Sequence, residues 1–414
     1  FVPKRFSDSV LVPILKDKKG NVTDVDNYRP IAITSVASKI FEKIMLLRIK
    51  HMLQTNDNQF SYKSNHSTEM CVFALKSVVD YYITSSSPVF LCYVDSAKAF
   101  DRVNFWCLFD KLLKRKVPVV FVRFLMVWYC TQEFVVRWGT CLSSVFTSSN
   151  GVRQGGILSP LLFNIYMDDL SDMLNNAQVG CTLNGVGFNH LMYADDLVLI
   201  APSARSMQIL LKYCDFFAER NHVKFNTKKT VCMVMSPKEF VFENVPKLEL
   251  SGTILDRVTS QKYLGVFITD NLKDDTCIRQ QCIGLYTRGN VIISKFKKCS
   301  EEVKCQLFRT YCSSFYCSSL WTYFNRGSLS KLKVAYNKIF RVLFYLKPRT
   351  SISENLVKRG LKTFYCILRN FISSFRDRIL CTENILLVSI VNSIYFMFSQ
   401  IAIIWKKTLF NLVN

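Results

Sequence analysis

The sequence predicts an α+β fold with a helical C-terminal region. Apolar runs of strand length recur at 89–94, 191–200 and 231–235, interspersed with segments whose apolar residues follow helical spacing. From Asp275 onward the pattern is helical and basic, with Arg288, Lys295, Lys298 and Arg309 recurring among Ile292, Phe296 and Leu307. The 414 residues suffice for two or three domains, and an apolar content of 50% excludes a disordered chain.

Taken in order, residues 11–33 read as a strand, a basic turn at 16–20, and a second extended segment. Arg29 precedes Pro30, which favours extended backbone. Lys16, Lys18, Lys19 and Arg29 could clamp a phosphate chain; for Lys18 and Lys19 a solvated hairpin tip is preferred. Residues 38–48 carry Ile40, Phe41, Ile44 and Leu47 at helical spacing, and 68–82 repeat the pattern, so both are expected to be packing helices. The apolar run 89–94 ends at Asp95, with a helical turn beginning near Ala97. An acid at the end of a buried strand is a usual place for a metal ligand or catalytic carboxylate, and also for a helix N-cap.

Residues 112–138 read as helical, with a basic cluster at Lys114, Arg115 and Lys116. Gly151, Gly155 and Gly156 surround Gln154, which implies close backbone approach to a ligand or another strand. Pro160 opens a helix carrying Leu162, Ile165, Tyr166, Leu170 and Met173. That helix contains an acid pair, Asp168-Asp169. Adjacent helical residues point about 100° apart, so both cannot easily face one metal, and the pair is read as a decoy.

A second acid pair, Asp195-Asp196, sits in the stretch 190–200 between apolar flanks. It reads as strand, tight turn, strand. No Lys or Arg lies between Asn189 and Pro202 to offset the acids, which makes a bound metal ion the natural partner. A surface hairpin with two solvated carboxylates is the alternative. A helix over 206–220, a strand over 231–235 and a short strand over 263–268 follow.

The chain carries 54 Lys and Arg against 31 Asp and Glu, a formal net charge of +23. Such an excess points to a polyanionic partner, most simply nucleic acid, with an anionic membrane surface as competitor. Sixteen cysteines with no Cys-x-x-Cys and only four histidines offer no zinc-site spacing. They read as reduced thiols, mostly buried, in an intracellular protein. Residues 385–405 lack any charge and precede Lys406-Lys407, which meets a membrane-spanning length rule. Asn392, Ser393, Ser399 and Gln400 interrupt the run, and a packed helix is favoured.

The ordered set Tyr28-Arg29-Pro30-Ile31, Asp95 to Asp101, Gly151 to Pro160, Tyr193 to Asp196, Asn226 to Thr230 and Tyr263 to Ile268 resembles the motif set of reverse transcriptases. It is most similar to those of non-LTR, LINE-like retrotransposons of the jockey type. The resemblance implies a right-hand polymerase fold. It assigns fingers and palm to 1–274, a helical thumb to 275–345 and a helical tail to 346–414. It implies RNA-directed DNA polymerase activity on an RNA template, a DNA primer and deoxynucleoside triphosphates, in cytoplasm and nucleus. Two Mg²⁺ ions, with Mn²⁺ as a substitute, would be held by Asp95, Asp195 and Asp196.

Further roles follow by matching position. Lys16 and Arg29 resemble the fingers cations that grip the triphosphate. Phe100 resembles the gate against a ribose 2′-hydroxyl, and Gln154 the residue beneath the incoming nucleotide. Tyr193, beside the acids, belongs to the same nucleotide site. Lys229 resembles the lysine that protonates pyrophosphate, and Tyr263, Leu264 and Gly265 the primer grip. Phe100 and Tyr263 as core aromatics, and Lys229 as a solvated lysine, are the alternatives. The chain departs from the family in starting at Phe1, without the preceding endonuclease or earliest fingers, and in placing Ser61 where glycine is usual. A catalytically dead nucleic-acid-binding remnant of a mobile element is the rival function.

Overall fold

The computed structural model describes residues 4–18, 20–237 and 246–413; Lys19 of the basic turn lies outside them. A five-stranded sheet forms the centre, in the order Asp256–Arg257, Val231–Met235, Val89–Val94, Asp196–Ala201, His190–Tyr193. Its middle strand, Val-Phe-Leu-Cys-Tyr-Val, is buried throughout, because helices cover both sheet faces. Phe90, Cys92 and Val94 pack with the helices Ser159–Asn176 and Ala204–Arg220. Val89, Leu91 and Tyr93 pack with the helix Thr68–Thr84. That alternation is the two-residue period of a strand. Both neighbouring strands run antiparallel to it, with Leu197 opposite Val94 and Val231 opposite Tyr93.

A second sheet places Ser9–Leu15 between Tyr28–Thr34, antiparallel, and Glu133–Trp138, parallel. The helical expectation over 112–138 therefore holds only in part. Helices Phe105–Lys114 and Val119–Cys130 form, and the chain then turns into a strand. Phe134, Val135 and Val136 suit a pleated surface, and the edge of Ser9–Leu15 supplies their hydrogen-bonding partner. The segment 263–268 differs as well. It is a hairpin, Ser260–Tyr263 with Val266–Thr269, turning at Leu264-Gly265.

The helix Val36–Ile49 forms but buries a different face from the expected one, of which Phe41 alone packs inward, against Phe124 and Trp128. Ile40, Ile44 and Leu47 are exposed, while Ser38, Glu42, Met45 and Ile49 are buried. The cause is polar. The Glu42 carboxylate accepts the backbone N–H groups of Ile157 and Leu158 and pairs with Arg153 at 3.0 Å. Both charged side chains are 2% exposed. Unpairing either would leave a buried charge, so the contact overrides the apolar stripe.

Helices Asp275–Phe296, Glu301–Cys312 and Arg326–Leu343 build a separate core around Leu285, Phe308, Tyr336 and Phe340. The tail is three short helices, Ile385–Val391, Ile394–Phe398 and Gln400–Val413, rather than one. Among the described residues no helix is long and apolar enough to cross a membrane. Phe375 and Trp405 contact Phe73 of the helix Thr68–Thr84, so the tail completes the central core. All sixteen cysteines are free thiols, eight of them buried.

Candidate active site

Tyr193 and Asp196 face each other across the hairpin, leaving Ala194 and Asp195 as its turn. Ala194 is left-handed, φ +58°, a conformation that costs an L-residue and must be held by its surroundings. Gln59 holds it. The buried amide oxygen of Gln59 accepts the Ala194 N–H at 3.1 Å and the Ser61 N–H at 3.1 Å. On either side of Gln59, the Met192 N–H donates to the Asn58 carbonyl at 2.8 Å, and the Phe60 N–H donates to the Met192 carbonyl at 2.9 Å. Ser61 fits where glycine was expected, because the left-handed residue here is Tyr62, φ +55°. The Ser61 hydroxyl lies 2.9 Å from the Gln59 oxygen and 3.0 Å from the Asn164 oxygen.

Asp95 follows the middle strand directly. Extending the Val94–Leu197 register by one step sets it opposite Asp196. Its backbone is clipped by the loop before Val231–Met235. The Asn226 N–H donates to the Asp95 carbonyl at 2.7 Å. The Asp95 N–H donates to Thr230 Oγ1 at 3.2 Å, and that hydroxyl donates to the Asn226 carbonyl at 2.9 Å. The clip brings Lys229 into electrostatic contact with Asp95.

A cleft of about 490 Å³ opens above these acids, between the two sheets. Asp95, Asp195 and Lys229 line it from the central sheet, Lys16 and Arg29 from the other. Phe100 and Gln154 complete the wall. Phe100 stacks on Phe163 with ring centres 4.5 Å apart and presents its remaining surface to the cleft. Gln154 is anchored twice: its amide donates to Asp101 at 3.0 Å, and its carbonyl accepts the Ala32 N–H at 2.7 Å. The next residue, Gly155, has φ +124°, and a Cβ there would lie 2.7 Å from the Ala32 carbonyl oxygen. Gly155 thus serves close approach to another strand, and Gly151, φ +93°, serves close approach to the backbone of Asp101.

The three carboxylates oppose one another electrostatically. Desolvation, then Asp195 and Asp95, push the Asp196 carboxyl up to about 6. Desolvation also raises Asp95, with Lys229 opposing and Asp195 adding, and raises Asp195, with its own backbone and Arg29 opposing. Among the described residues Asp95, Asp195 and Asp196 make no ion pair, and no three His, Cys, Asp or Glu side chains are gathered closely enough to hold a metal ion. The donors are nonetheless hard oxygens with excess negative charge, which suits Mg²⁺.

The model of the reverse transcriptase (RNA-dependent DNA polymerase) family matches residues 16–268. The chain belongs to the reverse transcriptase family. Its fold is the right-hand arrangement of that family. The RNA-directed DNA polymerase from mobile element jockey of Drosophila funebris is 25% identical over 373 residues, 84% of this chain and 39% of that protein. The Pol polyprotein from type-1 retrotransposable element R2 of Nasonia vitripennis is 28% identical over 243 residues, 57% of this chain and 23% of that protein. The chain therefore spans well under half the length of these curated relatives. Telomerase from Candida tropicalis superimposes with a TM-score of 0.48 at 12% identity, over 99% of this chain and 62% of that one.

Within this reverse transcriptase chain, the remaining singled-out residues do not line the cleft. Tyr193 is half-buried beside Asp196. The Tyr263 ring is in the core, its hydroxyl 3.3 Å from Cys71 Sγ and its ring 5.6 Å from that of Tyr93. In the turn that follows, Leu264 is half-buried and Gly265 exposed, and Tyr316 donates to the Leu264 carbonyl at 2.8 Å. Asp168 and Asp169 lie outside the cleft, paired with Arg115 and Lys111. Three supporting residues escaped sequence reasoning: Gln59, Thr230 and Glu42. Thr230 stands in the stretch 226–230 and Gln59 two residues before Ser61, but nothing local signals that they hold the backbone at Asp95 and Ala194.

Proposed function

We propose that the chain is an RNA-directed DNA polymerase that extends a DNA 3′-hydroxyl on an RNA template, using deoxynucleoside triphosphates. What supports this is one observation. Three acids on adjoining strand ends and three cations, Lys16, Arg29 and Lys229, face a single cleft or its rim. Phosphoryl transfer needs positioning and charge neutralisation more than covalent chemistry from the protein, and this arrangement supplies both. Asp95, Asp195 and Asp196 would hold two Mg²⁺ ions, for which Mn²⁺ can substitute. Bound there, the ions would activate the primer hydroxyl and neutralise the triphosphate.

The other roles belong to the chain itself. Lys16 and Arg29 bind the triphosphate oxygens. Lys229 delivers a proton to the leaving pyrophosphate. Phe100, backed by Phe163, excludes a 2′-hydroxyl sterically, and Gln154, fixed by Asp101, lies beneath the incoming nucleotide. Tyr193 borders the nucleotide site, and the turn at Leu264-Gly265, seated on the buried Tyr263, supports the primer terminus. The test is primer extension on an RNA template with Mg²⁺, beside Asp195→Ala. The expected result is extension by the native chain and none by the variant, with nucleic-acid binding retained through distributed Lys and Arg contacts. A native chain that binds but never extends would leave the nucleic-acid-binding remnant as the function.

A further inference from the structure

Lys98 lies on the short loop that links Asp95 to Phe100, and it lines the same cleft. Its backbone is left-handed, φ +51°, in a residue with a long side chain. The loop is pinned around it. The Ala97 N–H donates to the Lys224 carbonyl at 2.8 Å, and the Lys98 carbonyl accepts from Asp101 and Arg102 at 3.0 and 3.1 Å. The backbone is thus costly and fixed, while the ammonium is aimed across the cleft.

Its partner there is Asp26 of the opposite wall, with Nζ 2.6 Å from Oδ1. The side chains are 47% and 68% exposed, so the pair contributes little to stability. It does not explain a strained, pinned loop. Asp26 also stands in a ring of positive charge. Lys16 donates to its backbone carbonyl at 2.8 Å, and Lys98, Lys16 and Lys229 together hold its carboxyl below the usual range. A carboxylate here occupies the place that a more highly charged anion would take from it.

We propose that Lys98 is a triphosphate-binding cation supplied by the palm, and that Asp26 occupies it as an internal anion until the nucleotide displaces it. The proposal rests on the polymerase function of this cleft and adds a further ligand for the triphosphate. The exchange is non-covalent: one charge-assisted carboxylate–ammonium contact is traded for phosphate–ammonium contacts. Because a ligand must outcompete a carboxylate, the device favours long, highly charged polyphosphates over monophosphates.

The test is titration calorimetry of the full chain with inorganic tripolyphosphate at constant ionic strength. Native protein is compared with Asp26→Asn, Lys98→Met and the double variant. Asp26→Asn should tighten binding about tenfold and Lys98→Met weaken it about tenfold, each step being an ordinary single-interaction change. In the Lys98→Met background the effect of Asp26→Asn should largely vanish, because the two act on one contact. Lys98→Arg should keep most of the affinity, and thermal melts should show all variants folded. An Asp26→Asn effect of equal size in both backgrounds would mean a general field and overturn the exchange. Unchanged binding in folded Lys98→Met would do the same. Primer extension separates this from the larger function: coupled binding in a native chain that extends no primer upholds the exchange and removes only the polymerase assignment.

Discussion

The chain contains Asp-Asp twice, and the two copies have opposite fates. Asp168 and Asp169 lie mid-helix, on Ser159–Asn176. Asp168 is buried and pairs with Arg115 while accepting from the Asn56 N–H at 2.9 Å. Asp169 meets Lys111, whose ammonium is 2.6 Å away and also donates to the Tyr166 carbonyl. Asp195 and Asp196 close a hairpin beside Asp95, and among the described residues neither has a cationic side chain in ion-pair contact. The helix turns its acids to different neighbours, so each is neutralised separately. The hairpin crowds its acids against a third. Unsatisfied negative charge at strand ends, rather than the presence of two adjacent acids, is what distinguishes the pair proposed as catalytic from the structural one.

The largest expected difference between the pairs is in kind. Asp195→Asn should lower primer extension by at least about 10²–10³-fold, the scale of losing one transition-state charge contact, with an unchanged urea midpoint. Asp168→Ala should do the reverse. Stranding the mostly buried Arg115 is expected to cost roughly 3 kcal/mol in urea denaturation, while extension per folded molecule stays near native. Loss of activity in folded Asp168→Ala equal to that in Asp195→Asn would erase the distinction.

Phe100 lies on the boundary between core and site, and Phe100→Ala should show both characters. Its stacking on Phe163 predicts a loss of about 2–3 kcal/mol, below the usual range for a fully buried ring. Its exposed face predicts a raised ratio of ribonucleotide to deoxynucleotide incorporation. An unchanged ratio in folded protein would assign the ring to the core alone.

The crowding of the hairpin acids is itself measurable. A carboxyl raised to about 6 binds protons more tightly in the folded state. Its stabilising contribution is complete below about pH 4 and is lost as pH rises through 6. Metal-free protein should therefore melt lower at pH 7.5 than Asp196→Asn protein, by a margin that shrinks at pH 4.5. Mg²⁺ should raise the melting temperature of the native chain at pH 7.5 and hardly at pH 4.5. A Mg²⁺ shift independent of pH, or retained in Asp196→Asn, would place the ion elsewhere.

The smallest effect concerns the clip that aims Asp95. Thr230→Val removes one buried hydroxyl between the Asp95 N–H and the Asn226 carbonyl. It should cost about 1 kcal/mol and lower kcat a few-fold with KM unchanged, while Thr230→Ser restores both. A change in KM alone would assign Thr230 to nucleotide binding instead.

Much of this was legible in the sequence wherever near neighbours decide the outcome. The strand–turn–strand at 190–200, the helix opened by Pro160 and the strand ending at Asp95 all follow from local pattern. So did the suspicion that Asp168-Asp169 is a decoy. The face that Val36–Ile49 buries was not legible, because apolar spacing cannot register a buried ion pair formed 111 residues away. Nor was the strand at Glu133–Trp138, whose partner is a sheet edge laid down near residue 10.

By itself the sequence determined which segments are strands and helices at the centre, and which residue types suit the metal-dependent phosphoryl transfer proposed for the cleft. Periodicity, prolines and glycines act over a few residues and need no knowledge of the rest of the chain. Only the tertiary structure decided which acids stay unpaired, which lysine answers which carboxylate, and what holds Ala194 in its left-handed turn. Those outcomes depend on contacts such as Gln59 with Ala194 and Asp26 with Lys98, made across the cleft or between distant segments. A charge is neutralised by whatever the fold sets beside it, and sequence distance carries little information about that.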